Sequence, residues 1–202
     1  MDVILGSGAA AARSRASTRE RLVASGTMLF AARGLHDVTS HDIARIAGVA
    51  AGTFYLHFRD KQALFREIVF EALAMLEERL QRATEGAADP HEAVRQRSAE
   101  LLGFAEEKRD LVRILFGRNS EAAALGADVL DHLTRWLETD LRARGVATSA
   151  AEGLDPAVAA QALVGMWARV LTWWVEDPGR APREIVCQSL IRLQRSGVIG
   201  SA

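Results

Sequence analysis

Apolar residues recur along this chain at intervals of three and four, the period of a helix rather than a strand. Leu22, Gly26, Leu29 and Phe30 stand at i, i+4, i+7 and i+8 of a helix that takes shape from Thr18 and stops at Gly34. A second long pattern, residues 60–84, carries Leu64, Phe65, Ile68, Ala72, Met75 and Leu80. The run 89–107 opens with Asp89 as a cap and Pro90 at the first helical position. Further helices are predicted over 109–117, over 120–144 (Val129, Leu133, Trp136, Leu137), over 155–177 and over 182–196. No run of strands and no repeat is found. The expected fold is all-α, with about nine or ten helices.

Between the first two long helices lies "TSHDIARIAGVAAGTFYLHFRDK", residues 39–61. Thr39 reads as an N-cap, Asp42 can return a bond to its backbone, and Val38 and Ile43 hold the staple positions. A short helix therefore starts at Ser40 and breaks at Gly48, a residue able to take the left-handed conformation of a tight turn. A second short helix is predicted from Ala51 to Phe58. Phe54 and Phe58, one turn apart, face the core. Ala51, Thr53, Tyr55, Leu56 and His57 are left on the outer sides. Helix, glycine turn, helix with an outward face is the helix-turn-helix arrangement, whose second helix enters the major groove of DNA. A glycine-broken hairpin is also common in all-α proteins, so spacing alone leaves both readings open.

Charge tilts the balance. The net charge is −1, but residues 1–66 hold nine Lys/Arg against five Asp/Glu, and the remainder holds 16 against 21. A basic front suits a polyanion. Lys61 stands in the first turn of a helix capped by Asp60, where a cation is disfavoured, and a DNA phosphate would reverse that cost.

Residues 18–65, "TRERLVASGTMLFAARGLHDVTSHDIARIAGVAAGTFYLHFRDKQALF", resemble the N-terminal domain of TetR-family transcriptional regulators. The shared pattern runs without a gap through the Phe-Ala-x-x-Gly end of the first helix, "DIARIAGV", "GTFYLHF" and Lys61-x-x-Leu64-Phe65. The resemblance implies a homodimeric DNA-binding regulator, usually a repressor, released by a small molecule bound in its C-terminal domain. It implies phosphate contacts for Thr53, Tyr55 and Lys61 and for Thr39 and Ser40 at the start of the second helix. His57, beside Tyr55, is a weaker carry-over. The chain departs from the family at Ala50 and Ala51, where a polar pair such as Ser-Lys is frequent, and at Leu56, which replaces a frequent polar residue. Ala50 offers no side-chain cap, at a cost of about 1 kcal/mol. Ala51 offers a methyl group, suited to thymine.

The expected organisation is a flexible arm over 1–16, a DNA-binding domain over 17–66 with its helix-turn-helix motif at 39–58, and a ligand-binding and dimerisation domain over 67–202. In the last of these, "AVAAQALVGMWARVLTWWVED" is apolar almost all round. Leu163, Val170, Trp174, Val186, Leu190 and Leu193 are the candidate dimer interface, two helices from each subunit forming a four-helix contact. The alternative is an ordinary core. Candidate ligand-pocket residues are Met75, Phe104, Phe116, Trp136, Met166 and Trp167, suited to an apolar or aromatic effector.

Cys187 is the one cysteine and sits in an apolar helical pattern, so no internal disulfide forms and a reducing, cytoplasmic setting is expected. The start is not expected to act as a signal peptide, and no apolar run is expected to reach membrane-spanning length. Asp128 and His132 are two possible ligands only, too few for a metal site, and no cofactor motif or catalytic constellation is found. The expected partners are operator DNA, a small-molecule effector and a second copy. The rival from another class is an all-α enzyme or small-molecule carrier with an incidental hairpin. A DNA-binding protein without a ligand switch is the other.

Overall fold

The computed structural model describes residues 4–87, 89–117, 122–143 and 155–196. They form α1 (Ile4–Arg33), α2 (Ser40–Ile46), α3 (Ala51–Tyr55), α4 (Lys61–Thr84), α5 (Pro90–Glu107), α6 (Arg109–Phe116), α7 (Ala123–Ala143), α8 (Pro156–Glu176), a single 3-10 turn (Pro178–Arg180) and α9 (Arg183–Ser196). No strand occurs among the described residues. The fold is all-α. It divides into two compact units, Met1–Ala72 and Leu73–Ala202.

Residues 4–16, expected to be a flexible arm, are the first turns of α1. The segment Ala9–Ala12 supplies the residue type with the highest helix propensity, and no proline interrupts it. The core of unit 1 is built from Leu22, Leu29, Phe30, Val38, Ile43, Phe54, Phe58, Leu64 and Phe65, all buried. Phe30 and Phe65 meet edge to face with centroids 5.3 Å apart. Gly26 permits this packing, since a Cβ there would lie 2.2 Å from Leu64 Cδ2.

In unit 2, α5, α8 and α9 share a core of Leu102, Ala105, Trp167, Leu171, Trp174, Val175, Val186 and Leu190. The Trp174 indole donates to the Ala181 carbonyl at 3.0 Å, so burial leaves its N–H satisfied. Leu137 and Leu141 of α7 pack on Ala159 and Ala160 of α8. Contrary to the sequence expectation, α8 is long and apolar enough by length and composition to cross a membrane. Part of that apolar surface lies in these two cores.

Candidate nucleic-acid interface and effector cleft

Thr39 has extended backbone angles and closes the start of α2 with a capping box. Its hydroxyl oxygen accepts from the Asp42 N–H at 3.1 Å, and its own N–H donates to Asp42 Oδ2 at 3.1 Å. The Thr39 hydroxyl also donates to that oxygen at 2.6 Å. These bonds hold the Asp42 carboxyl below the usual carboxylate range. Val38 and Ile43 are fully buried beside the box. The hydroxyl of Thr39, a candidate phosphate donor, is thus engaged by the cap. Ser40 next to it is half-buried.

Gly48 turns the chain with φ +66°, where a residue with a Cβ would be strained. Arg21 of α1 reaches across and donates to the carbonyls of Ala47 and Gly48, closing the end of α2. Ala50 caps α3 with no side-chain bond. The helix ends at Tyr55, three residues before the expected Phe58. His57 and Phe58 N–H both donate to the Phe54 carbonyl at 2.9 Å, a tightened turn. The chain must unwind there to present Asp60, whose carboxylate accepts from Ala63 N–H at 2.7 Å and starts α4.

This frame fixes the faces of α3. Phe54 is fully buried and Phe58 nearly so. Ala50, Gly52, Tyr55 and Leu56 are exposed, Tyr55 by 54% and Leu56 by 70%. Ala51, Thr53 and His57 are half-buried. Burial, with Arg15 and Arg19 nearby, lowers the His57 pKa and favours the neutral ring.

Lys61 is not placed as a free cation. Its ammonium donates to the carbonyls of Leu35 (2.7 Å), His36 (2.9 Å) and Val38 (2.9 Å), tying the start of α4 to the loop before α2. These acceptors offset the unfavourable helix-terminal position without a phosphate. Arg19 is engaged in the same way. It donates to the His57 carbonyl at 3.2 Å, pairs with Glu67, and lies 4.5 Å from the Phe58 ring centroid. Arg19, Arg21 and Lys61 therefore position the motif. The exposed cations beside it include Arg45 and Arg59, with side chains 64% and 88% exposed, paired at the surface with Asp42 at 3.5 Å and Asp60 at 2.9 Å. Arg45 was missed in the sequence, although its place one turn after the capping Asp42 puts it outward on α2.

In unit 2 a cleft of about 670 Å³ opens between the second half of α4, α5 and α7. Arg97, His132, Arg135, Trp136, Thr139 and Asp140 line it from one side, and Glu77, Gln81, Thr84 and Glu85 from the other. Arg97 donates to Asp140 Oδ2 at 2.6 Å and lies 5.7 Å from the Trp136 ring centroid. Arg97 Nε is buried and has no partner. His132 Nε2 lies 2.7 Å from Glu77 Oε1. No cluster of three potential metal ligands occurs among the described residues.

Of the six candidate pocket residues only Trp136 lines this cleft. Trp167 belongs to the core of α5, α8 and α9, with Met166 packed against it. Phe104 is buried, Met75 is 39% exposed, and the Phe116 ring lies against Gly126 of α7. Large apolar side chains at helical spacing were taken up by packing. The cleft was left to polar ones that no periodicity marks.

The candidate dimer surface changes likewise. Trp174, Val186 and Leu190 are buried in their own subunit, and Val170 packs on the same core. Leu163 packs against Leu137 and Leu141. Of the six, only Leu193 is exposed. The outer side of α8 carries Val158, Ala162 and Gly165 instead, and that of α9 carries Ile185 and Leu193. Periodicity found the apolar stripe but assigned its buried side to the partner.

Residues 22–68 match the family model for bacterial regulatory proteins of the tetR family. An uncharacterised HTH-type transcriptional regulator, YdgC of Bacillus subtilis, is 29% identical over 84% of this chain and 89% of its own length. The HTH-type transcriptional repressor KstR2 of Mycolicibacterium smegmatis is 30% identical over 57% of this chain and 64% of its own length. Among solved structures, the transcriptional regulator FadR of Bacillus subtilis, in complex with stearoyl-CoA, superimposes with a TM-score of 0.74. That match covers 89% of this chain and 99% of FadR at 22% identity, a likeness of fold.

Proposed function

We propose that the chain is a TetR-family transcriptional regulator, as the match of residues 22–68 to that family's model supports, and that it is a homodimeric, ligand-released repressor acting in the cytoplasm. Each copy places α3 in one of two successive major grooves of a pseudo-palindromic operator. The observation that carries this reading is the build of α3, locked inward by Phe54 and Phe58 and open outward along Ala50, Gly52, Tyr55 and Leu56. A recognition segment already fixed in place loses little entropy on DNA. In this reading Ser40, Thr53 and the Tyr55 hydroxyl meet phosphates, and Arg45 and Arg59 add charge. Thr39 and Lys61 hold the motif's shape, and His57 contributes as a neutral ring. Ala50, Ala51 and Leu56 face the bases.

The repressor sense follows the relative KstR2. Release requires an effector that binds the DNA-incompetent arrangement more tightly than the competent one, with about 1.4 kcal/mol of difference for each tenfold loss of operator affinity. The cleft in unit 2 offers an aromatic face at Trp136 and the paired guanidinium of Arg97 and carboxylate of Asp140, which suit a ligand with a planar group and a polar end. The FadR complex makes stearoyl-CoA a second probe. In this reading the dimer forms through the outer faces of α8 and α9, where Val158, Ile185 and Leu193 are exposed.

Selection of bound sequences from random duplex DNA tests the whole reading. An enriched two-fold sequence, lost on adding an aromatic carboxylate or stearoyl-CoA, is the expected result. No enrichment by folded protein would reject DNA binding. Enrichment indifferent to a broad ligand panel would favour a regulator without a switch.

A further inference from the structure

We propose that Leu56 just past the end of α3, and Ala51 at its start, read thymine methyl groups, so that apolar contact rather than hydrogen bonding to base edges sets the half-site. The inference rests on the DNA-binding reading above. Base-specific hydrogen bonds in the major groove come chiefly from Arg or Lys to guanine, Asn or Gln to adenine, and Asp or Glu to cytosine. The recognition segment Ala50–Leu56, "AAGTFYL", contains none of these six residue types. Its polar groups are the half-buried Thr53 hydroxyl and the Tyr55 hydroxyl.

What the segment offers instead is hydrocarbon. Leu56 is the most exposed large apolar side chain among the described residues. It is not a frayed end. Its N–H donates to the Thr53 carbonyl at 3.2 Å, and the following turn is pinned by the bond from Phe58 N–H to the Phe54 carbonyl. Phe58 is buried two residues later, so the outward direction of Leu56 is set by the core. Arg45 and Arg59, exposed on either side in sequence, pair with Asp42 and Asp60 at the surface, contacts weak enough for a phosphate backbone to compete for them. The one apolar group on the major-groove edge of the base pairs is the C5-methyl of thymine. Ala51 at the start of α3 and Leu56 just past its end are the hydrocarbon groups placed to meet it.

The test uses the full chain and the operator obtained by selection. Each thymine of a half-site is replaced in turn by deoxyuridine, which removes the methyl and keeps base pairing and O4. We expect one or two positions at which affinity falls about fourfold, the worth of one buried methyl-sized group. In Leu56→Ala, which should melt like wild type, that sensitivity should vanish at one or more of those positions. Leu56→Gln should move the selected base there from thymine towards adenine. Deoxyuridine that is neutral throughout, or a penalty undiminished in Leu56→Ala, would overturn the proposal while leaving DNA binding in place. Failure of the folded protein to enrich any sequence would remove both.

Discussion

The helix-turn-helix of unit 1 and the cleft of unit 2 differ in how far their polar groups are satisfied. Around α2 and α3 the Thr39–Asp42 box, the Arg21 cap and the Lys61 latch each end on a backbone or side-chain partner. In unit 2, Arg97 Nε and Gln96 Oε1 are buried without one. An unpaired buried polar atom costs about 1–3 kcal/mol, whereas an incoming ligand that pairs with it recovers that loss. Unit 1 is thus finished before DNA arrives, whereas unit 2 keeps unsatisfied polar atoms on α5, whose Arg97 lines the cleft. A surface that reads DNA gains from rigidity. A surface that responds to an effector needs interactions the effector alone completes.

The strongest way to break the contrast is to unfold one side of it. All four tryptophans lie in unit 2 and the single tyrosine, Tyr55, in unit 1, so tryptophan emission reports unit 2 alone. Leu190→Glu puts a charge at a position 1% exposed, among Trp174, Val186 and Leu102. A loss of several kcal/mol is expected, with red-shifted tryptophan emission. A stable dissociated monomer would restore Leu190 to the dimer interface. Phe54→Ala should cost about 3–5 kcal/mol in unit 1. Tyr55→Ala should leave stability within about 0.5 kcal/mol and weaken operator binding. A Tyr55→Ala protein that melts far below wild type yet binds normally when folded would mean that α3 is rotated.

That pair also shows how unevenly the sequence could be read. The burial of Phe54 and Phe58 and the exposure of Tyr55 follow from a 3.6-residue period, a local property. The Thr39 box is local too, since three residues separate its partners. Arg21 on Ala47 and Gly48, and Lys61 on Leu35, His36 and Val38, span more than twenty residues. No periodicity predicts such a bond: Arg21 was legible only as charge, and Lys61 only as a helix-start cation expected at a phosphate. In unit 2 the apolar period located α8 and α9 but could not tell which part of a nearly all-round apolar helix meets its own core. For that reason Trp174 and Leu190, expected at a dimer face, lie in the chain's own core, and of the cleft's polar lining only His132 stood out in the sequence, as one of two possible metal ligands.

A smaller perturbation sharpens the account of unit 1. Lys61→Met keeps the stem and removes the ammonium that three carbonyls share. Stability should fall by about 1–3 kcal/mol, at the modest end of losing charge-assisted bonds because the site is half-exposed. The salt dependence of operator binding should keep its slope. A slope reduced by about 0.9 for each copy bound would show that the latch opens and the ammonium moves to a phosphate.

The smallest expected effect is a dependence on pH, and its direction follows from three groups. Asp42 and Asp60 have carboxyls held below their ordinary values, Asp42 chiefly by the Thr39 side chain and backbone, Asp60 chiefly by the Ala63 N–H. A carboxyl with a depressed folded pKa stabilises above its unfolded value of about 4 and loses that contribution as pH falls through the folded one. The His57 pKa is also lowered, by burial first and then by Arg15 and Arg19. For a base the unfolded chain then binds the proton more readily, so stability falls as pH drops below the unfolded value of about 6.5. Unit 1 should therefore weaken in two steps on acidification, the first from His57 and the second from the two caps. Amide exchange of α2 and α3 between pH 7 and 3 measures both. His57→Asn should abolish the first step and keep the second, and Asp42→Asn should reduce the second and keep the first. A first step that survives in His57→Asn would place the responsible proton on another group, and the half-buried ring beside Arg19 would not be the neutral group that burial makes it.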